Sequence, residues 1–157
     1  MTIAVTGASG GLGGRVAREL SARGLPQRLI VSDPARAPQL PGAEVAAASC
    51  EDPEAMARAL DGTSTMLSVS GQQGRNGEDM QRDVDEVARR YGVERIVYTS
   101  FMGAAPGATF PYARDHGATE QAVRAAGISL TSMRNALYAD VAPHFVGQDG
   151  VIRAPAG

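Results

Sequence analysis

The run Thr2-Ile3-Ala4-Val5-Thr6 passes directly into Gly7-Ala8-Ser9-Gly10-Gly11-Leu12-Gly13, which fits G-x-x-G-x-x-G. A helical pattern follows, with Leu12, Val16 and Leu20 four residues apart, and a second apolar run, 29–31, ends at Ser32-Asp33. This reads as a strand, a glycine-rich turn, a helix and a second strand, with an acidic residue 20 positions after Gly13. Each part has a physical task. Gly7 permits the tight turn, Gly10 lets backbone approach a pyrophosphate, and Gly13 lets the helix pack close to the strand. The helix N-terminus adds free N–H groups and the positive end of its dipole. The turn therefore predicts a dinucleotide site, with Gly7, Ser9, Gly10, Gly11, Leu12 and Gly13 as candidate contacts. The bland alternative is a turn that only packs a helix on a strand.

The rest of the chain repeats the alternation. Short apolar runs bounded by Gly, Pro, Asp or Ser predict strands at 3–6, 28–32, 44–48, 65–69, 95–99 and 129–133. Helical patterns cover 11–23, 53–60, 78–91 and 114–126, and Gly24, Gly62, Gly92 and Gly127 sit just past them, as C′ glycines do. Asp52-Pro53 has the form of an N-cap followed by proline at the first helical position. Alternating strands and helices predict an α/β fold: a doubly wound parallel sheet, order 3-2-1-4-5-6, in three α/β/α layers, with a ligand crevice at the carboxyl ends of the strands. Beyond the sixth strand the pattern thins to a short helical stretch at 138–146 and a strand-like Val151-Ile152. One domain over 1–157 is expected, with no second domain to close over a ligand.

Composition narrows the function. A net charge of −2 offers no electrostatic footprint for nucleic acid or an anionic membrane. With no Trp, three Phe and four Tyr, a base-stacking surface is not expected. The lone Cys50 permits no intramolecular disulfide and suits a reducing compartment. No apolar run has the length of a membrane span, and a first strand starting at residue 2 leaves no room for a leader, so a cytoplasmic location is expected. Two histidines and one cysteine, far apart in sequence, give no metal-ligand spacing.

The opening Thr6–Gly13 stretch resembles that of atypical short-chain dehydrogenase/reductases. Later segments narrow the likeness: Val93-Glu94-Arg95-Ile96-Val97-Tyr98-Thr99-Ser100, Tyr112-Ala113-Arg114-Asp115-His116, Thr119-Glu120, Met133-Arg134-Asn135 and Gly150-Val151-Ile152-Arg153. Together they resemble the NmrA-like branch, especially its NAD(P)H-dependent quinone reductase type. The resemblance implies a Rossmann domain and an oxidoreductase that transfers hydride from NAD(P)H to a small quinone-like or carbonyl acceptor. Members normally continue well past this length into a substrate-side lobe, so the chain is expected to correspond to their N-terminal portion.

The cofactor residues point in two directions. Asp33 stands where an acidic side chain would bond the ribose 2′-OH of NAD, or it caps a turn before Pro34. In many relatives of the resembled branch an arginine stands at the position of Ser32 and a basic residue at that of Arg36, to hold a 2′-phosphate. An arginine fork suits phosphate because it makes bidentate, charge-assisted bonds. Ser32 breaks that pattern and Arg36 keeps it, which leans slightly to NADP(H), with NAD(H) the alternative. Asp52 is the expected partner of the adenine amino group, or the N-cap of the next helix. Ser68, Val69, Ser70 and Gly71 end the fourth strand at the switch point, where small residues let backbone pass close to the pyrophosphate or the nicotinamide ribose, or simply make a turn.

Candidate chemistry lies at Ser100, Tyr112 and His116. Short-chain dehydrogenases use a strand-end serine, a tyrosine about a dozen residues later, and a lysine four beyond that. In that scheme tyrosine carries the proton, serine orients the substrate oxygen, and lysine lowers the tyrosine pKa and holds the nicotinamide ribose. Here a histidine occupies the lysine place, and it is a poor permanent cation, because a free imidazole is mostly neutral above its pKa. It can still hydrogen-bond ribose hydroxyls. Competing readings are a strand-end cap for Ser100, a packing residue for Tyr112 after Pro111, and a helix-surface histidine. Hydride transfer to a quinone does not need a strong acid, since the product charge is delocalised and the cofactor carries the hard step. Phe101, Met102 and Phe110, in the Gly/Ala/Pro-rich stretch 101–111, suit a flat acceptor pocket with a lid-like loop. Phe101 and Asn135 are also candidates for the nicotinamide end. The partner expected is a quinone-like small molecule, and association into a homo-oligomer is left open. The alternative function is a non-catalytic NAD(P)-binding redox sensor of the NmrA type.

Overall fold

The computed structural model describes residues 2–49, 52–70 and 91–152. Six strands form one sheet: β1 (Thr2–Thr6), β2 (Gln27–Val31), β3 (Ala43–Ala47), β4 (Thr63–Ser68), β5 (Arg95–Phe101) and β6 (Ser129–Asn135). Every pairing is parallel and the order is β3-β2-β1-β4-β5-β6, as the sequence pattern predicts. The order reverses between β1 and β4, and that break places a crevice at their carboxyl ends. The helices are α1 (Gly11–Ala22), α2 (Pro53–Leu60) and α3 (Pro111–Ala125), with short 3-10 turns at Pro34–Arg36 and Ala139–Phe145.

Period-two alternation splits the core between the two sheet faces. Val5, Leu29, Val31 and Leu67 pack with Ala17, Val16 and Leu20 of α1. Their neighbours Ala4, Ile30, Met66, Ile96 and Tyr98 point the other way, onto Ala55, Ala59 and Leu60 of α2 and Val123 of α3. Strands buried on both faces read as continuous apolar runs.

The helix ends follow local chemistry. Asp52 Oδ1 accepts the Ala55 N–H at 2.9 Å and caps α2. Two helices close in Schellman turns. After α1, Gly24 (φ 67°) donates to Ser21 O and Leu25 to Leu20 O; after α3, Gly127 (φ 78°) donates to Arg124 O and Ile128 to Val123 O. α3 begins three residues before the expected 114, because Pro111 is itself pre-set for the first helical position. The pattern at 138–146 yields a 3-10 turn, Ala139–Phe145, interrupted by Pro143. Ile152 makes a single antiparallel bridge to Val146. The helix expected over 78–91 lies outside the described residues for all but its last position, as do Cys50, Gly71 and Arg153.

Candidate functional site

The glycine turn lies at the crevice and is shaped by close backbone contacts. Gly7 has φ 63°, and a Cβ there would stand 3.3 Å from Val69 Cβ, so the ends of β1 and β4 meet at these two residues. Gly10 N–H donates to Gly7 O at 2.9 Å. A Cβ on Gly13 would overlap the carbonyl oxygen of Gly7 and come within 2.7 Å of its carbon. Gly14, which the motif leaves out, is also tight, with a Cβ 3.0 Å from Ala8 O. Gly11 has open space around it. The first turn of α1 has no side-chain cap at Gly10 and no acidic residue. The N–H groups that start a helix need acceptors, and an anion meets that need. Gly7, Gly10 and Gly11 are exposed and Ser9 and Leu12 half-buried. A cradle of exposed backbone with no room for side chains at its base fits a pyrophosphate.

Threonines outside the motif stitch this edge. Thr6 Oγ1 accepts the Val69 N–H at 3.0 Å, and Thr99 Oγ1 accepts the Ser70 N–H at 2.8 Å and lies 3.1 Å from the Ser70 hydroxyl. Ser68, Val69 and Ser70 are thereby fixed against β1 and β5. The strand-end position of Thr6 and Thr99 was the available signal in the sequence.

Beyond β2, Asp33 Oδ1 accepts the Ala35 N–H at 3.0 Å and caps the Pro34–Arg36 turn. Asp33 and Arg36 are both exposed at the end of β2, and Arg36 makes no ion pair among the described residues. Asp52, at the capping position of α2, keeps its second carboxylate oxygen outside that bond.

The Ser100, Tyr112 and His116 positions separate. Ser100 is 4% exposed, and its hydroxyl donates to Glu120 Oε1 at 2.6 Å. His116 Nδ1 lies 2.7 Å from the hydroxyl of Tyr98, not Tyr112. Tyr112 is half-exposed and stacks on Phe110 at 5.3 Å, and both flank Phe101. Phe101 in turn stacks on His116 at 6.2 Å. These rings line the carboxyl end of β5, beside Asn135 on β6. Asn135 donates to the Tyr138 hydroxyl at 3.1 Å, and its carbonyl accepts the Met102 N–H at 2.9 Å.

Glu120, which the sequence offers only within the Thr119-Glu120 likeness and with no role attached, sits at the centre of this end of the sheet. It is 1% exposed and accepts from Ser100, from Arg134 at 3.0 and 2.7 Å, and from Arg124 at 3.1 Å. Bonds from the Arg134 guanidinium, with help from Ser100 and Arg124, outweigh burial and hold the carboxyl down at about 2. One buried charge thus ties α3 to β5 and β6. Burial acts the other way on its neighbours: the Tyr98 phenol is pushed up to about 12, and the His116 imidazole is held below its ordinary 6.5.

The loop between β5 and α3 is pinned at its middle. Ala105 donates to Ala113 O at 3.2 Å, Ala104 is buried, and a Cβ on Gly117 would press within 2.6 Å of Ala105 N. Nothing in the residue pattern announced Gly117. Among the described residues no cluster of His, Cys, Asp and Glu could hold a metal ion, and no helix is long and apolar enough to cross a membrane.

Known proteins bear directly on this geometry. A family model described as NAD(P)H-binding matches residues 7–154. Quinone oxidoreductase 2 of Escherichia coli is 33% identical over 143 residues, spanning 88% of this chain and 49% of that protein. The structure of Citrobacter sp. triphenylmethane reductase complexed with NADP(H) is similar at TM-score 0.76 and 34% identity, covering 88% of this chain and 50% of that one. The NADPH-dependent quinone oxidoreductase of Escherichia coli complexed with NADPH gives TM-score 0.77 at 30% identity, covering 92% and 53%. The chain spans about half the length of the relatives it matches.

Proposed function

The chain belongs to the NAD(P)H-binding family, and from that premise we propose that it binds NADPH and serves hydride transfer to a flat, quinone-like acceptor. The observation that carries this reading is the uncapped start of α1 over a turn in which Gly13 leaves no space for a Cβ and Gly7 takes a positive φ of 63°. The pyrophosphate belongs on the N–H groups of Gly11–Gly13, with Ser9 beside them and the Gly10 N–H held by Gly7 O. Arg36 takes the 2′-phosphate, and Asp33, whose Oδ1 is committed to its own turn, leaves that role to the arginine. Asp52 offers its second oxygen to the adenine amino group. Ser68, Val69 and Ser70 run beside the pyrophosphate, and His116, Phe101 and Asn135 receive the nicotinamide end. A bound dihydronicotinamide supplies the hydride.

The protein's own part is positioning. Phe101, Phe110 and Tyr112 offer aromatic faces on which a flat acceptor can stack. NADP(H) in the Citrobacter structure and NADPH in the Escherichia coli structure support the choice of cofactor.

A second reading, a non-catalytic NAD(P)-dependent regulator, is favoured by one observation. Ser100 is bonded to Glu120 and Tyr112 is not bonded to His116, so these three groups do not form a proton relay. Calorimetric titration with NADPH and NADH, followed by NADPH oxidation with a soluble quinone, tests both. Selective NADPH binding with turnover supports the reductase. Binding without turnover supports the regulator, and binding of neither nucleotide overturns both.

A further inference from the structure

The proton between Tyr98 and His116 has a direction, and that direction decides what His116 can offer a ligand. Tyr98 Oη lies 2.7 Å from His116 Nδ1, with the rings 5.5 Å apart. The phenol is 3% exposed, on β5 in the core cluster with Ile96 and Val123. Burial, with the Glu120 and Asp115 carboxylates adding to it, keeps the phenol protonated, against a smaller pull from the Thr119 hydroxyl. The Thr119 hydroxyl gives its hydrogen to Asp115 O at 3.1 Å, which leaves Thr119 Oγ1 and His116 Nδ1 as the acceptors open to the phenolic hydrogen; the imidazole nitrogen is the more basic of the two, so the hydrogen goes to Nδ1. A neutral imidazole carries one hydrogen, which then resides on Nε2. Protonation of the ring is opposed by its own burial, which outweighs Asp115 and Glu120.

The surroundings of the ring are accounted for. Tyr98 and Phe101 face it from β5. Asp115 and Glu120 act on it from its own helix, and Glu120 is matched by Arg134 from β6 and Arg124 from α3. Phe101 stacks on the ring at 20° and fixes its plane. Nε2 makes no hydrogen bond among the described residues.

We propose that Tyr98 is a positioning residue that locks His116 in the Nε2–H tautomer, so that His116 presents one uncharged, directed donor to a ribose hydroxyl of the bound dinucleotide. The ribose part rests on the function proposed above. A lysine would offer a flexible cation with three donors; this pair offers one donor in a fixed plane that stays unchanged through neutral pH.

Long-range proton–nitrogen NMR on the histidine-labelled chain tests it. There are two histidines, and a His144→Gln variant assigns them. The expected result is His116 as Nε2–H at neutral pH, titrating below 6.5. Tyr98→Phe removes only the hydroxyl. It should mix the tautomers, raise the His116 titration, and weaken NADPH binding by about three- to tenfold, the value of one neutral hydrogen bond. The Nδ1–H tautomer in the wild-type chain overturns the proposal, and this readout stands even if Tyr98→Phe fails to fold. Mixed tautomers in Tyr98→Phe with unchanged NADPH affinity also overturn it. A wild-type chain locked as Nε2–H that binds no NADPH overturns the proposed function and the ribose role, while the tautomer lock itself stands.

Discussion

The Ser100 hydroxyl donates to Glu120 Oε1 at 2.6 Å, and both side chains are buried. A serine in this position is a structural ligand of a carboxylate before it is anything else. Ser100→Ala is expected to cost about 1.5–3 kcal/mol of stability, the usual value of a bond to a charged group. It should change NADPH-dependent turnover by less than about tenfold, well short of a general acid–base group. Thermal unfolding and steady-state rates on the same preparation decide, and a collapse of turnover at unchanged stability would return Ser100 to the chemistry.

Acid should unfold this protein through two groups acting in the same direction. The Glu120 carboxyl sits at about 2 in the folded chain, against an ordinary 4.5. Its contribution is full above pH 4.5 and fades as pH falls towards 2, on the order of 3 kcal/mol in total. His116 is held below 6.5, so below that pH the unfolded chain takes up its proton first and stability falls further. Denaturant midpoints should therefore drop from pH 6.5 downwards. In Glu120→Gln the lower part of that slope should flatten, and the protein should lose about 1.5–3 kcal/mol at neutral pH, the value of bonds to a charged group, with the deficit shrinking towards pH 2.

Alkali reports on Tyr98. Its phenol is pushed up to about 12, so it should ionise late, and the unfolded chain, in which it ionises from 10 upwards, should gain relative to the folded one. Ultraviolet absorbance of phenolate against pH measures the delay, and Tyr98→Phe should remove the late step.

Within the glycine turn, substitutions should split by available space. Gly13→Ala forces a methyl into the Gly7 carbonyl and should abolish nucleotide binding and lower the melting temperature. Gly11→Ala meets nothing within 4 Å, so the fold should survive and any loss of NADPH affinity would report on the ligand alone. Gly10→Val should block the backbone approach and abolish binding; unchanged affinity would remove the turn from the site.

Arg36→Ala should weaken NADPH binding by about tenfold or more, as loss of a charged hydrogen bond implies, and leave NADH binding nearly unchanged. Equal losses for both nucleotides would take the 2′-phosphate away from Arg36.

The fold was readable because its signals are local. Apolar runs, a glycine turn and C′ glycines such as Gly24 and Gly127 gave the six strands, their order and the position of the crevice. The side-chain pairings at the carboxyl end of β5 were not readable, because they join residues that only the sheet brings together. His116 meets Tyr98 across 18 positions, and Glu120 meets Ser100 across 20 and Arg134 across 14. Spacing along α3 pointed to Tyr112 as the partner of His116, whereas the choice was made by which β5 side chains face the helix. Tyr98 and Ser100 share that face by period-two alternation.

The contact of Gly117 with Ala105 joins two tasks. In the proposed function α3 carries His116 on the nucleotide side and the loop after β5 carries Met102 and Phe110 on the acceptor side, and where Gly117 meets Ala105 there is no space for a methyl group. Loop and helix are therefore one mechanical part. Under the proposed function, the grip on the nucleotide and the width of the acceptor entrance would then be coupled, and room for a larger acceptor would have to come from the ends of that loop, not its centre.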